Sequence, residues 1–272
     1  MPSSPDRPDP SLHSPPRSFA EAVALLRKWR GAALLFAALA LIAGAWAFAG
    51  IADVVTEGDS HAWDEQILLL FRSAGDPDDP VGPVAVEEAV RDLTALGGVL
   101  VTSLASLLGV GYFLLDRRPR AALFLAGSIA GGIGLTFLLK MGFDRPRPDL
   151  VAHQMEALSA SFPSGHSATA AVVYLTLGAL IARALPRRGL RALAVGTAVV
   201  LTIGIGVSRV YLGVHWPTDV LGGWVVGAGW ALAAWFVQRY LRRHGWIEPA
   251  KAVTLDPKPG DTPAPDSEGS AK

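Results

Sequence analysis

From residue 31 onward the chain alternates long apolar runs with short polar connections. The runs lie near 31–52, 95–115, 121–141, 167–185, 190–210 and 218–239. Each holds about 20 residues, and a helix rising about 1.5 Å per residue then crosses a hydrocarbon layer of roughly 30 Å. A helix satisfies its own backbone hydrogen bonds, which lipid cannot do. The pattern therefore predicts an all-α fold, an integral membrane bundle of six transmembrane helices. Small residues recur inside the runs, as in Gly127-Ser-Ile-Ala-Gly131-Gly132 and Gly222-Gly223. They predict close helix contacts.

The polar stretches divide the rest. Residues 2–17 are rich in Pro, Ser, Asp and Arg, and the N-terminal tail, 1–30, is expected to be disordered. Within it, Phe19, Val23, Leu26 and Arg30 share a helical stripe beside Trp29, which reads either as a helix on the membrane surface or as a charged lead-in to the first span. The six-span domain is assigned to 31–245 and a second disordered tail to 246–272. The connection of roughly 53–94 is long. Two pieces of it, Trp63 to Arg72 and Val84 to Leu93, look helical, and Asp76-Pro-Asp-Asp-Pro80 interrupts them. These short interfacial helices form either a flap beside the outer face or a cap over the bundle.

Composition supports a membrane chain: 51% of residues are hydrophobic, 18% are charged, and mean hydropathy is +0.36. The net charge of zero hides an asymmetry. Arg27, Lys28 and Arg30 precede the first span; Arg117, Arg118 and Arg120 follow the second; Arg183, Arg187, Arg188 and Arg191 flank the fourth connection; Arg239, Arg242 and Arg243 close the sixth. With alternating spans all of these fall on one side, which the positive-inside rule makes cytoplasmic, together with both termini. The expected location is the plasma (inner) membrane. The acids of the first connection, from Asp53 to Glu88, fall on the outer, periplasmic side. The absence of cysteine excludes thiolate phosphatase chemistry and thiolate metal sites.

Six charged or titratable residues break the asymmetry by ending up outside: Lys140, Arg147, His166, Arg209, His215 and Asp219. Intramembrane or membrane-edge charges of this kind mark function. Lys140 and Arg209 stand at C-terminal ends of predicted helices, where the backbone dipole favours cations. Pro163-Ser164-Gly165 precedes the fourth span and Trp216-Pro217 opens the sixth, so both helix N-termini are expected to aim amide donors at an anion. Gly165 lets the backbone approach closely. Arg147 and Arg209 offer forked donors and Lys140 a point charge. The set suits a tetrahedral phosphate. His215 can attack phosphorus through a neutral ring nitrogen, with Asp219 four residues on to hold the other nitrogen's proton, and His166 can protonate the departing oxygen.

These residues form three ordered segments: Lys140-x6-Arg147-Pro148, Pro163-Ser164-Gly165-His166 and Ser208-Arg209-x5-His215-x3-Asp219. They resemble, without departure, the signature of the type 2 phosphatidic acid phosphatase superfamily of integral-membrane lipid phosphatases. A second Arg-Pro at Arg145-Pro146 is set aside because the spacing from Lys140 selects Arg147. The resemblance implies that His215 is the nucleophile, Asp219 its partner and His166 the acid. It also implies that Lys140, Arg147, Ser164, Gly165 and Arg209 bind phosphate, with no metal and no cofactor. The implied partners are a lipid phosphate and the bilayer, not nucleic acid. The implied activity is hydrolysis of a lipid phosphomonoester or diphosphate through a phosphohistidine at the outer face, with undecaprenyl diphosphate as the first substrate. Phosphatidylglycerophosphate, phosphatidic acid and lipid A are the alternatives, as is phosphotransfer between lipids. A non-catalytic lipid-binding or transport protein would be expected to lose a catalytic group, and none is lost. The vanadate-dependent haloperoxidases share the signature but look like soluble helical proteins.

Overall fold

The computed structural model describes residues 19–151 and 160–248, with side chains from residue 35 onward. The two expected disordered tails lie largely outside this range. The described residues fall into two units, a helical one over 19–43 and a larger one from 44 onward. The stretch from Phe19, read as either a surface helix or a lead-in to the first span, falls within α1 (Phe19–Glu57).

Among the described residues, the regular structure of the larger unit is helical apart from one hairpin. In chain order it holds α2 (His61–Leu69), β1 (Arg72–Ser73), β2 (Asp76–Pro80), α3 (Val84–Ala95), α4 (Val99–Leu115) and α5 (Pro119–Lys140). There follow α6 (Gly165–Ala184), α7 (Arg188–Tyr211) and α8 (Pro217–Arg243). Among the described residues, five helices are long and apolar enough to cross a membrane, and α3 with α4, bent by 45°, makes a sixth if the pair counts as one span. The second apolar run was expected to be helical from residue 95. It breaks there because Gly97-Gly98 gives little helix propensity, and Gly98 takes the extended cap that starts α4.

The burial pattern is that of a protein whose solvent is lipid. On α5 the buried positions include Ala121, Ser128, Gly132 and Thr136, whereas Leu123 and Leu138 are 75% and 65% exposed. Small and weakly polar side chains face the neighbouring helices and large apolar ones face outward, as dispersion packing without a hydrophobic drive between helices requires. Two glycines show the consequence. A Cβ on Gly223 would stand 2.7 Å from the Ser164 carbonyl oxygen, and one on Gly227 would stand 2.5 Å from that of Ala168. Only glycine lets α8 lie this close to α6, and that contact sits directly beneath the polar cluster described below.

Within α6 a π-helical turn, Ala171–Leu175, follows His166 by five residues. Such turns are frequent at functional sites. Its Tyr174 hydroxyl donates to the Leu96 carbonyl at 2.6 Å, so the turn and the α3–α4 break hold each other. At the other end of the bundle the fold continues past residue 245. Ile247 is buried among Phe113, Ala121 and Leu125, and the Glu248 carboxylate accepts from the amides of Arg120 and Ala121 at 3.3 and 3.1 Å, capping α5.

Candidate active site

Lys140 closes α5, Gly165 opens α6, Arg209 lies in the last turn of α7, and His215 and Asp219 bracket the start of α8. Helices α6 and α8 pack against each other and against α7, bringing these ends together. All eight residues singled out by spacing meet here. A Cβ on Gly165 would lie 3.4 Å from Lys140 Cε, and Lys140 Nζ donates to the Ala160 carbonyl at 2.6 Å. The Ser164 amide donates to the Asp219 carbonyl at 2.9 Å. The fully buried Ser164 hydroxyl accepts from Ser167 Oγ at 3.0 Å. Buried Arg209 donates to Thr94 Oγ1 at 3.1 Å, which ties α7 to α3. Half-buried His166 is within electrostatic reach of Arg209, His215, Arg147 and Lys140.

The geometry around His215 is the most informative. Arg147 Nη1 donates to the Val214 carbonyl at 2.6 Å and lies 3.3 Å from His215 Nε2. A guanidinium can only donate, so this contact assigns a lone pair to Nε2 and the proton to Nδ1. Nδ1 in turn faces Asp219 Oδ2 at 3.3 Å, with Ser161 Oγ at the same distance. Burial pushes the His215 imidazole down to about 4; the Asp219 hydrogen bond and charge oppose this, and the like charges of Arg147 and Arg209 reinforce it. The ring is therefore neutral at pH 7, with a free pair on the nitrogen beside Arg147. Burial also lowers the Arg147 guanidinium below its ordinary value, against the Asp219 charge.

Asp219 is held by more than its histidine. Its Oδ2 accepts from the Trp216 amide at 2.9 Å and, over a short contact, from Ser161 Oγ. Its Oδ1 accepts from Arg145 Nη1 at 2.6 Å. Arg145, the residue of the Arg-Pro pair that spacing set aside, is 7% exposed and sits at the centre of a network. Its other terminal nitrogen donates to Asp64 Oδ2 at 2.6 Å and Ser60 Oγ at 2.9 Å, and Nη1 also reaches Thr218 Oγ1 at 2.7 Å. Asp64, fully buried, further accepts from the Thr218 amide at 2.9 Å and the Thr218 hydroxyl at 2.6 Å.

Two expectations change as a result. Helix α2 neither lies off the bundle as a flap nor merely covers it: it packs on α8 and delivers Asp64 into the interior. The N-terminus of α8 does not offer its first donors to an anion, because the Trp216 and Thr218 amides are taken by Asp219 and Asp64. Only α6 keeps that role, since the amides of Gly165, His166 and Ser167 precede its first intrahelical bond, from Ala168 to Ser164. Arg145, Asp64 and Ser161 join the cluster although spacing did not single them out. The repeated Arg-Pro was the only local signal for any of them.

Comparison with known proteins agrees with the geometry. The sequence pattern described as "PAP2 superfamily" matches residues 121–243. The phosphatidylglycerophosphatase B of Bacillus subtilis is 35% identical over 144 residues, covering 52% of this chain and 70% of the relative. The chain belongs to the PAP2 superfamily. A lipid A 1-phosphatase of Rhizobium etli is 31% identical over 190 residues, 60% of this chain and 75% of that one. The crystal structure of a transmembrane PAP2-type phosphatidylglycerolphosphate phosphatase from Bacillus subtilis superposes with a TM-score of 0.65 at 27% identity, covering 75% of this chain and 98% of that chain. This PAP2 protein is thus an integral membrane protein of the lipid phosphatase class.

Proposed function

We propose that this PAP2 protein hydrolyses a lipid phosphate through a phosphohistidine on His215. The observation that carries the reading is the Arg147–His215–Asp219 line, which leaves a lone pair on Nε2 and commits Nδ1–H to a carboxylate. Nε2 attacks the terminal phosphorus and its bond to the bridging oxygen breaks, with His166 giving that oxygen, the lipid's alkoxide in a monoester or the lipid monophosphate in a diphosphate, its proton. Water then attacks the phosphohistidine, His166 takes the water's proton, and inorganic phosphate leaves with His215 neutral again. Lys140, Arg147 and Arg209 balance the charge on the phosphoryl oxygens, and the first amides of α6 at Gly165 add donors, with Ser164 beside them. Those cations supply the charge a divalent metal would bring, so turnover is expected to persist in excess EDTA. Loss on chelation with recovery on Mg²⁺ addition would refute the metal-free reading.

The substrate is proposed to be undecaprenyl diphosphate, whose tail stays in the bilayer while its head reaches the outer ends of α5 to α8. Phosphatidylglycerophosphate is the second reading, favoured by the 35% identity to a phosphatidylglycerophosphatase. Phosphate release from both lipids, phosphatidic acid and lipid A by the purified protein in nanodiscs decides between them. The first reading fails if kcat/KM for undecaprenyl diphosphate is not the highest.

The pH dependence follows from His215. Protonation removes the attacking lone pair, and a pKa lowered to about 4 keeps the ring neutral well below the ordinary imidazole range. After correction for substrate ionisation, the acid limb of kcat/KM should therefore fall near pH 4. A midpoint near 6.5 would contradict the assignment.

Orientation is proposed from the basic connections, which put Arg120 and Arg187 in the cytoplasm and Asp78 and Asp149 outside. All four positions are exposed and the chain has no cysteine, so single-cysteine variants can be read directly. In intact cells an impermeant maleimide should label positions 78 and 149 only.

A further inference from the structure

At the end of the bundle away from the active site lies a cavity of about 400 Å³ between α4, α6 and α8. This is within the range of about 300–1,000 Å³ usual for small-molecule pockets. Arg118 precedes α5, whose 22 residues separate it from Lys140, and Arg242 lies 23 residues beyond Asp219 on α8. At about 1.5 Å per residue, some 30 Å or more separates this cavity from the phosphate-binding cluster. Its floor is apolar, built from Leu108, Phe113, Leu177 and Leu180. Its mouth is basic, with Arg118, Arg183 and Arg242.

The cations are incompletely balanced. Arg118 faces Asp116 at 3.6 Å and donates to the Glu248 carbonyl at 3.1 Å, yet its buried Nε has no hydrogen-bond partner among the described residues. Arg183 donates to Gln238 and stacks over Trp235, and it feels the like charges of Arg242 and Arg239. Among the described residues no carboxylate pairs with Arg183 or Arg242. The Glu248 carboxylate is already spent on capping α5.

We infer that this cavity binds an anionic phospholipid of the facing leaflet as a non-substrate ligand, its headgroup between Arg118, Arg183 and Arg242 and part of an acyl chain against Leu108, Phe113, Leu177 and Leu180. Basic pockets between membrane helices on the positively flanked side hold anionic headgroups, and an apolar floor selects a ligand that brings a chain with it. The site takes no part in phosphoryl transfer and does not depend on the catalytic assignment.

The test is native mass spectrometry of the full chain in detergent, with dioleoyl phosphatidylglycerol or dioleoyl phosphatidylcholine added. Phosphatidylglycerol is expected to survive activation energies that strip phosphatidylcholine, with at least a tenfold difference in the retained fraction. The Arg183→Gln/Arg242→Gln variant should lose that preference while releasing phosphate within twofold of the parent. Ala105→Trp, which fills the floor beside Leu108, should lower retention with both arginines in place. His215→Ala should keep the lipid, and millimolar inorganic phosphate should not displace it; loss in either arm would assign the lipid to the active site and overturn the inference. Equal retention of the two lipids, or retention unchanged in both cavity variants, would also overturn it. So would a second copy of the chain, rather than lipid, leaving on Ala105→Trp.

Discussion

His215→Ala is expected to abolish both turnover and any trapped phosphoenzyme, with kcat lower by on the order of 10⁴-fold or more. That corresponds to at least about 5.4 kcal/mol of transition-state stabilisation at about 1.36 kcal/mol per tenfold. The loss is this large because Nε2 is the proposed attacking atom, and His166, engaged as acid and base, cannot also serve as nucleophile. His166→Ala separates the two histidines. An alkoxide leaving group needs a proton as it departs, so hydrolysis of a lipid phosphomonoester such as phosphatidic acid should fall by about 10²–10⁴-fold. An aryl phosphate with a good leaving group should still phosphorylate His215, and the phosphoenzyme should accumulate because its hydrolysis also needs the missing base. Rapid-quench trapping of acid-labile, base-stable phosphate checks both. Phosphoenzyme on His215→Ala, absent from His166→Ala with the aryl substrate, would reverse the roles.

Arg145→Met should be the most damaging change outside the residues that touch substrate. One guanidinium now stands between the Asp64 and Asp219 carboxylates at 2.6 Å from each, all three buried. Removing it leaves two carboxylates without their shared cation, and breaking a buried pair from one side costs about 3–5 kcal/mol. That is a large share of a typical folding free energy of about 5–15 kcal/mol. The catalytic effect is separable. Asp219 without Arg145 no longer fixes the His215 tautomer firmly, so kcat should fall more than KM rises. Arg145→Lys keeps the charge but cannot fork to Asp64 and Asp219 together. It should regain stability better than turnover. Thermal unfolding in detergent, paired with kcat and KM, reads both. An Arg145→Met protein as stable and active as the parent would show that the network plays no such part.

The difference between Arg145 and Arg147 shows what was legible beforehand. Both precede proline; spacing from Lys140 selected Arg147, which lies beside His215. Nothing local distinguishes it from Arg145, which meets two carboxylates 81 and 74 positions away. Asp64 was equally hidden, since in an acidic outer connection it reads like its solvated neighbours. The hairpin at Arg72–Pro80 was missed for a similar reason. Arg72 looked like the end of a helix, but it is buried and donates to the Tyr211 carbonyl at 2.9 Å, a contact made 139 residues on.

The sequence by itself determined most of the long helices and the candidate residues. Apolar runs set the helices because lipid permits almost no other backbone, and the three ordered segments named the nucleophile candidate, its carboxylate and the cations. Tertiary structure alone decided which partners the buried charges meet. It gave the first amides of α8 to Asp64 and Asp219, left those of α6 at the site, and turned Arg145 inward while Arg147 stayed beside His215. The reason is that a buried charge is acceptable only with a partner, and such partners come from whichever helix ends the packing brings together, at separations local periodicity does not record.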